Sequence, residues 1–149
     1  MRVIKRYSLV KAKSENQRSI LAQDGKVLGI EVEGSLLEVQ LELEDGRVII
    51  WLTDDSPYDE GLHIYLLNQG GTVLDALEAG ADFTPGILKV AYTGANWVAF
   101  KIFSNNYTYR LEVIKAARFR ILLPVGWRYK KWFSLHWLIV HQVPIGENR

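Results

Sequence analysis

Four carboxylates fall within seven positions in Asp54-Asp55-Ser56-Pro57-Tyr58-Asp59-Glu60, and His63 follows three residues later. Clustered carboxylates could supply the oxygen ligands that a hard cation takes, and a pair of them could work as general acid and base. The spacing does not match the calcium-loop pattern D-x-[DN]-x-[DN]-G, and Pro57 fixes the backbone in the middle of the run. Nothing local sets the distance between two carboxylates or builds a cleft beside them. The expectation is therefore a solvated turn in which Asp54, Asp55, Asp59 and Glu60 form an acidic surface and hold no metal.

The three histidines add little local chemistry. His63 alternates with Leu62 and Ile64 beside the acidic run, where a neighbouring carboxylate would favour its charged form and make a pH-sensitive contact. His136 and His141 are an odd number of positions apart, so on one strand they face opposite sides and do not share a metal. No local spacing assembles a Ser-His-acid triad or a three-ligand zinc set. The chain has no cysteine, which excludes disulfides, thiolate metal sites and a cysteine nucleophile. Phosphate-binding, dinucleotide-binding and nucleophile-elbow patterns are absent from the sequence as well. The sequence thus assigns no catalytic residue, no metal and no cofactor, and it favours a non-enzyme.

The stretch from Arg118 to Trp137 mixes basic and aromatic side chains, a combination suited to binding. Its candidate partner-binding residues are Arg118, Arg120, Trp127, Arg128, Tyr129, Lys130, Lys131 and Trp132. Cations neutralise phosphates while aromatic faces stack on bases, so single-stranded nucleic acid is one occupant that fits. A protein interface, with an acidic protein surface as the preferred partner, or an anionic membrane surface would use the same mixture. The sequence pI of about 7.9 argues against a nucleic-acid binder, whose domain pI usually exceeds about 9. The same aromatics could instead pack inside, with Arg118 and Arg120 solvated.

Charge is distributed unevenly along the chain. Residues 27–100 hold thirteen acidic residues against Arg47 and Lys89, whereas the flanks hold sixteen basic residues against four acidic ones. A total of +1 therefore hides a strongly polarised sequence, a property that bears on association more than on fold. Either the acidic centre of one copy meets the basic flanks of another, or basic terminal strands pair with acidic central strands in the same molecule.

The elements that position these residues read as an all-β domain. The chain of 149 residues fits a single domain, 1–149, of about ten short strands joined mostly by sequential hairpins, closed as an antiparallel β-barrel or stacked as a β-sandwich. Leu37, Val39, Leu41 and Leu43 alternate with Glu38, Gln40, Glu42 and Glu44 before Asp45-Gly46, and Val48-Ile49-Ile50-Trp51-Leu52 follows. This predicts a hairpin from 36 to 52 with a type I′ turn. Further strands are expected within 2–13 and over 26–33, 62–67, 72–79, 87–92, 97–103, 107–114, 118–123 and 133–143. The segment 73–79 uses helix formers, but the preceding Gly70-Gly71 makes a strand the better assignment.

No apolar stretch is long enough to span a bilayer and no apolar signal segment follows the basic start, so a cytoplasmic protein is expected. The function that fits best is a non-enzymatic β domain acting through protein contacts or self-association. The alternative is a barrel holding a small apolar or aromatic ligand against Trp51, Trp97, Phe100, Tyr109 and Trp137.

Overall fold

The computed structural model describes residues 1–11, 18–54, 61–79, 89–101, 107–119, 121–131 and 133–144, and among them there are strands and turns but no helix. In chain order the strands are β1 (Arg2–Val3), β2 (Tyr7–Lys11), β3 (Arg18–Gln23), β4 (Lys26–Glu33), β5 (Leu36–Glu42), β6 (Val48–Thr53) and β7 (Leu62–Leu67). They continue as β8 (Val73–Ala79), β9 (Lys89–Thr93), β10 (Trp97–Lys101), β11 (Tyr107–Arg118), β12 (Trp127–Tyr129) and β13 (His136–Pro144). They form three antiparallel sheets, ordered β1-β5-β6-β7-β8-β12, β13-β11-β10-β9 and β2-β3-β4.

Two hydrophobic clusters lie on opposite faces of the six-stranded sheet. Ile49 and Trp51 of β6 join Ile64, Leu66 and Leu77 in a cluster with Val98, Phe100, Tyr109, Leu111, Val113, Leu138 and Val140 of the four-stranded sheet. The intervening Val48, Ile50 and Leu52 join Tyr65 and Leu67 in a second cluster with Tyr7, Leu21 and Val32 of the three-stranded sheet. All six residues of β6 and all six of β7 are accordingly buried. A strand covered on both faces cannot alternate apolar with polar, which explains why Val48–Leu52 and Leu62–Leu67 are nearly unbroken apolar runs.

The predicted hairpin is present, with β5 and β6 paired from Leu36↔Thr53 to Glu42↔Val48, but two of its details differ from expectation. Pairing steps from Leu37↔Leu52 to Val39↔Trp51, so β5 carries an extra residue there. That bulge turns Leu37 to the second cluster while Val39, Leu41 and Leu43 face the first. The turn is also not type I′. Leu43 N–H donates to the Arg47 carbonyl and Gly46 N–H to the Leu43 carbonyl, and only Gly46, at φ 89°, is left-handed. This is a three-residue connection ending in a glycine bulge. The type I′ geometry occurs instead at Asp24 (φ 50°) and Gly25 (φ 81°), which join the directly paired Gln23 and Lys26.

Other differences have simple causes. The strand expected over 118–123 is not found among its described residues: Arg118 ends β11, which runs along β13, and 121–123 belong to no strand. β3 and the short β12 had no alternation long enough to announce them. The segment 73–79 is strand β8, hydrogen-bonded to both β7 and β12. Between the three-stranded and six-stranded sheets the chain turns at Gly34, φ 118°, where a Cβ would lie 2.6 Å from Cβ of buried Leu52. Only glycine lets the backbone approach that closely.

Candidate functional site

Cross-strand pairing places His63 of β7 opposite Glu78 of β8, and Glu78 opposite Arg128 of β12. These three residues occupy the face of the six-stranded sheet that the three-stranded sheet covers, and Glu33 at the end of β4 reaches them from that second sheet. Lys130, one residue beyond β12, is anchored by its backbone N–H on the Ala76 carbonyl, 3.0 Å away. Its ammonium nitrogen lies 2.8 Å from Nδ1 of His63, 3.1 Å from Oε2 of Glu78 and 3.1 Å from Oε1 of Glu33. The Tyr65 ring lies alongside, its centroid 5.6 Å from Nζ.

An ammonium has three donors and no acceptor, so Nδ1 of His63 must accept. Nε2 then carries the proton and donates to Asp54, 3.0 Å from Oδ1 and 3.2 Å from Oδ2. Asp54 is held in turn by the Gly61 N–H, 3.2 Å from its Oδ2. The result is a chain of Asp54, neutral His63, Lys130 and two glutamates, largely under cover: His63 is 5% exposed. Lys130 hydrogen-bonds to His63 and Glu78 and pairs with Glu33, and an ammonium has no lone pair to offer a substrate. As it stands the cluster is a satisfied ionic network, not a nucleophile with its base.

Burial alone would raise the Glu78 carboxyl, but the Lys130 charge and hydrogen bonds from Lys130 and Arg128 outweigh it and hold the group below its usual 4.5. Glu42 is likewise held down, first by its hydrogen bond from Arg6 and then by that from Arg2. A carboxyl depressed in the folded state stabilises above its unfolded value, and that contribution is lost as pH falls through the folded one. The melting temperature is therefore expected to stay level from neutrality to about pH 5 and to fall below that. In Glu78→Gln it should be lower at neutral pH and decline less steeply in acid. Melting curves between about pH 7 and pH 3 check this, and parallel acid limbs for the two proteins would count against it.

A second polar group lies between sheets. Asp75 of β8 accepts from the backbone N–H groups of Trp137 (2.8 Å) and Leu138 (3.0 Å) through Oδ2. Its Oδ1 is 3.0 Å from Nδ1 of His136 and accepts from the Ala76 N–H at 2.9 Å. The His136 ring stacks on Tyr129 at 3.5 Å, and the Tyr129 hydroxyl donates to the Leu138 carbonyl at 2.6 Å. This group fastens β13 to β8 and β12. The odd spacing of His136 and His141 does place the first inside, at 1% exposure, and the second outside.

The predicted partner-binding residues separate in space. Trp127 and Tyr129 are buried and Lys130 belongs to the internal network, so none of the three offers an open face to a partner. Arg128 is exposed along its length while pairing with Glu78, and Arg118 and Lys131 are exposed. Arg120, Trp132, Asp55, Asp59 and Glu60 lie outside the described residues. Asp54 is partly buried on His63 and does not stand open as acidic surface. Sequence reasoning placed His63 beside a carboxylate but missed Glu33, Glu78 and Asp75. Their local signal was slight: two acids set among apolar residues in β8, and a second acid at the end of β4.

The described ion pairs account for much of the charge segregation. Arg2 and Arg6 pair with Glu42, Arg18 with Glu31, Arg128 with Glu78, and Lys130 with Glu33 and Glu78. Each joins a basic flank to the acidic centre within one molecule, whereas Arg47–Asp45 is local.

Five large apolar residues between 119 and 135 are exposed: Phe119 at 45%, Leu122 and Val125 at 95%, Phe133 at 72% and Leu135 at 52%. The rings of Phe119 and Phe133 meet edge to face with centroids 5.5 Å apart, bringing the two ends of the segment together. No protein-family model, curated protein or solved structure matches this chain.

Proposed function

We propose that the protein is a non-enzymatic binding module that docks an acidic protein surface, another copy of itself among the candidates, through the segment from Arg118 to Leu135. The exposure of Phe119, Leu122, Val125, Phe133 and Leu135 within seventeen residues carries this reading. Single exposed apolar residues are common, but five so close in sequence, two of them in ring contact, are the makings of an interaction patch. Arg118 and Lys131, exposed in the same stretch of chain, add positive charge, which favours an acidic partner over a basic one.

A layered sandwich suits this role better than a barrel with a lumen. Open strand orders in all three sheets and clusters on both faces of the central sheet support it. Trp51, Phe100 and Tyr109, which a lumen would present to a small ligand, pack against one another and Trp127. Trp97 and Trp137 are partly exposed, and the Arg110 guanidinium covers Trp97 at 4.2 Å.

The test combines light scattering at low and near-physiological salt with fluorescence titrations against an alternating Leu-Glu peptide and against labelled single-stranded DNA and RNA. Salt-sensitive self-association or peptide binding is expected. It should disappear in Leu122→Asp/Val125→Asp and weaken in Arg118→Glu/Lys131→Glu, with melting temperatures unchanged. Tight nucleic-acid binding lost in the charge reversals would replace this reading. A monomer that binds none of these probes, or binding indifferent to both double variants, would make the segment a solvated face.

A further inference from the structure

Glu33, His63 and Glu78 arrive from three strands and two sheets, and one ligand atom of each lies within 4.8 Å of the others. The position among them is filled by the Lys130 ammonium nitrogen, at 3.1, 2.8 and 3.1 Å respectively. We propose that this is a divalent-cation site whose resident cation is Lys130, and that Zn²⁺ exchanges with the ammonium, taking Nδ1 of His63 and one oxygen each from Glu33 and Glu78.

The donor set supports this assignment. One imidazole and two carboxylates make a three-ligand zinc site with a fourth position left for water. His63 is already arranged as a metal-bound histidine would be. Its far nitrogen, Nε2, is bonded to the Asp54 carboxylate 3.0 Å away, the outer partner that orients a ligating imidazole and leaves its other nitrogen aimed at the metal. Burial keeps the ring in place.

Charge balance points the same way. Three carboxylates, those of Asp54, Glu33 and Glu78, face two cations, Lys130 and Arg128. The cluster therefore carries a net negative charge with the ammonium present, and replacing that single charge by a double one brings it to neutrality.

Exchange also has a path. The Glu33 side chain is 44% exposed and opens the cluster to water, while the long stem of Lys130 lets its ammonium withdraw toward the surface where Lys131 lies. With the ring held, zinc sits nearer Nδ1 than the ammonium does, and its distances of about 2.0–2.2 Å require the two carboxylate oxygens to close in by roughly 1 Å or more. Glu33 and Glu78, on flexible stems, can make that adjustment. With Lys130 as internal cation, folding does not depend on metal, and zinc acts as a competitor for an occupied position.

The experiment is calorimetric titration of the full chain with zinc chloride, comparing wild type with Lys130→Met. The variant should bind one equivalent at least ~10-fold more tightly than wild type, and adding Asp54→Asn should weaken it by about 10-fold. Adding His63→Gln to Lys130→Met should return binding to the wild-type level. Equal affinity with and without Lys130, or tight binding that survives His63→Gln, would overturn the proposal. Should Lys130→Met not fold, the wild type decides by nuclear magnetic resonance. Zinc up to about 1 mM should shift the His63 ring signals first and broaden the Lys130 ammonium signal. A His63 ring unmoved at that concentration would overturn the proposal equally.

Discussion

Asp75→Ala is expected to lower the melting temperature by about 10 °C or more, the largest loss of any single polar substitution in the described protein. The wild-type carboxylate is 7% exposed and accepts four hydrogen bonds, three of them from backbone N–H groups of Ala76, Trp137 and Leu138. Alanine leaves those donors and buried His136 without their acceptor in a place where water does not readily enter. Breaking a buried, hydrogen-bonded charge network from one side costs about 3–5 kcal/mol. His136→Phe provides the contrast, because it keeps a ring to stack on Tyr129 and leaves Asp75 its backbone donors. It should cost less than half as much. Thermal and urea unfolding of both variants measure the difference. A fall below about 3 °C for Asp75→Ala would mean that water replaces the carboxylate and that the network is not what fastens β13 to β8.

Phe100→Ala should destabilise by a similar amount, about 3–5 kcal/mol. Phe100 is fully buried at the centre of an aromatic group. Trp51 and Trp127 meet it edge-on at 6.2 and 5.9 Å, and Tyr109 stacks beside it at 5.8 Å. Truncation loses the transfer free energy of the ring and opens a cavity lined by stiff neighbours that cannot close it. Such a cavity is apolar and stays dry, so benzene or indole should raise the melting temperature of Phe100→Ala and leave that of the wild type unchanged. The comparison also weighs the interior-ligand alternative. If the wild type gained stability from indole as the variant does, its interior would hold free space that these ring contacts do not suggest.

Much of the strand pattern was legible in the chain. Alternation over 107–113 put Tyr109, Leu111 and Val113 inside, and the β5–β6 hairpin fell where Asp45-Gly46 sits between an alternating and an apolar run. These features depend on neighbours a few residues apart, whose pairing is decided by side-chain period and turn chemistry. Finer points escaped because they depend on single residues. One extra residue in β5 moved Leu37 to the other face, and the turn after Leu43 closed over three residues, leaving the type I′ geometry to Asp24-Gly25.

By itself, the sequence determined the all-β class, most strand positions, the absence of thiol chemistry and the segregation of charge along the chain. Only the tertiary structure decided which charges are internal and which apolar residues are exposed. The pairs that matter are distant in sequence: Lys130 meets His63 across 67 residues, His136 meets Asp75 across 61 and Lys130 meets Glu78 across 52. Each residue taken alone resembles an ordinary solvated charge or strand member. Packing of side chains from different sheets removes water from the position it occupies, and a charge in that setting is retained only where opposite charges and hydrogen-bond partners converge on it. The same packing took Trp127 and Tyr129 into the interior and left Phe119, Leu122, Val125, Phe133 and Leu135 outside, on stretches of chain before and after β12 that belong to no described strand.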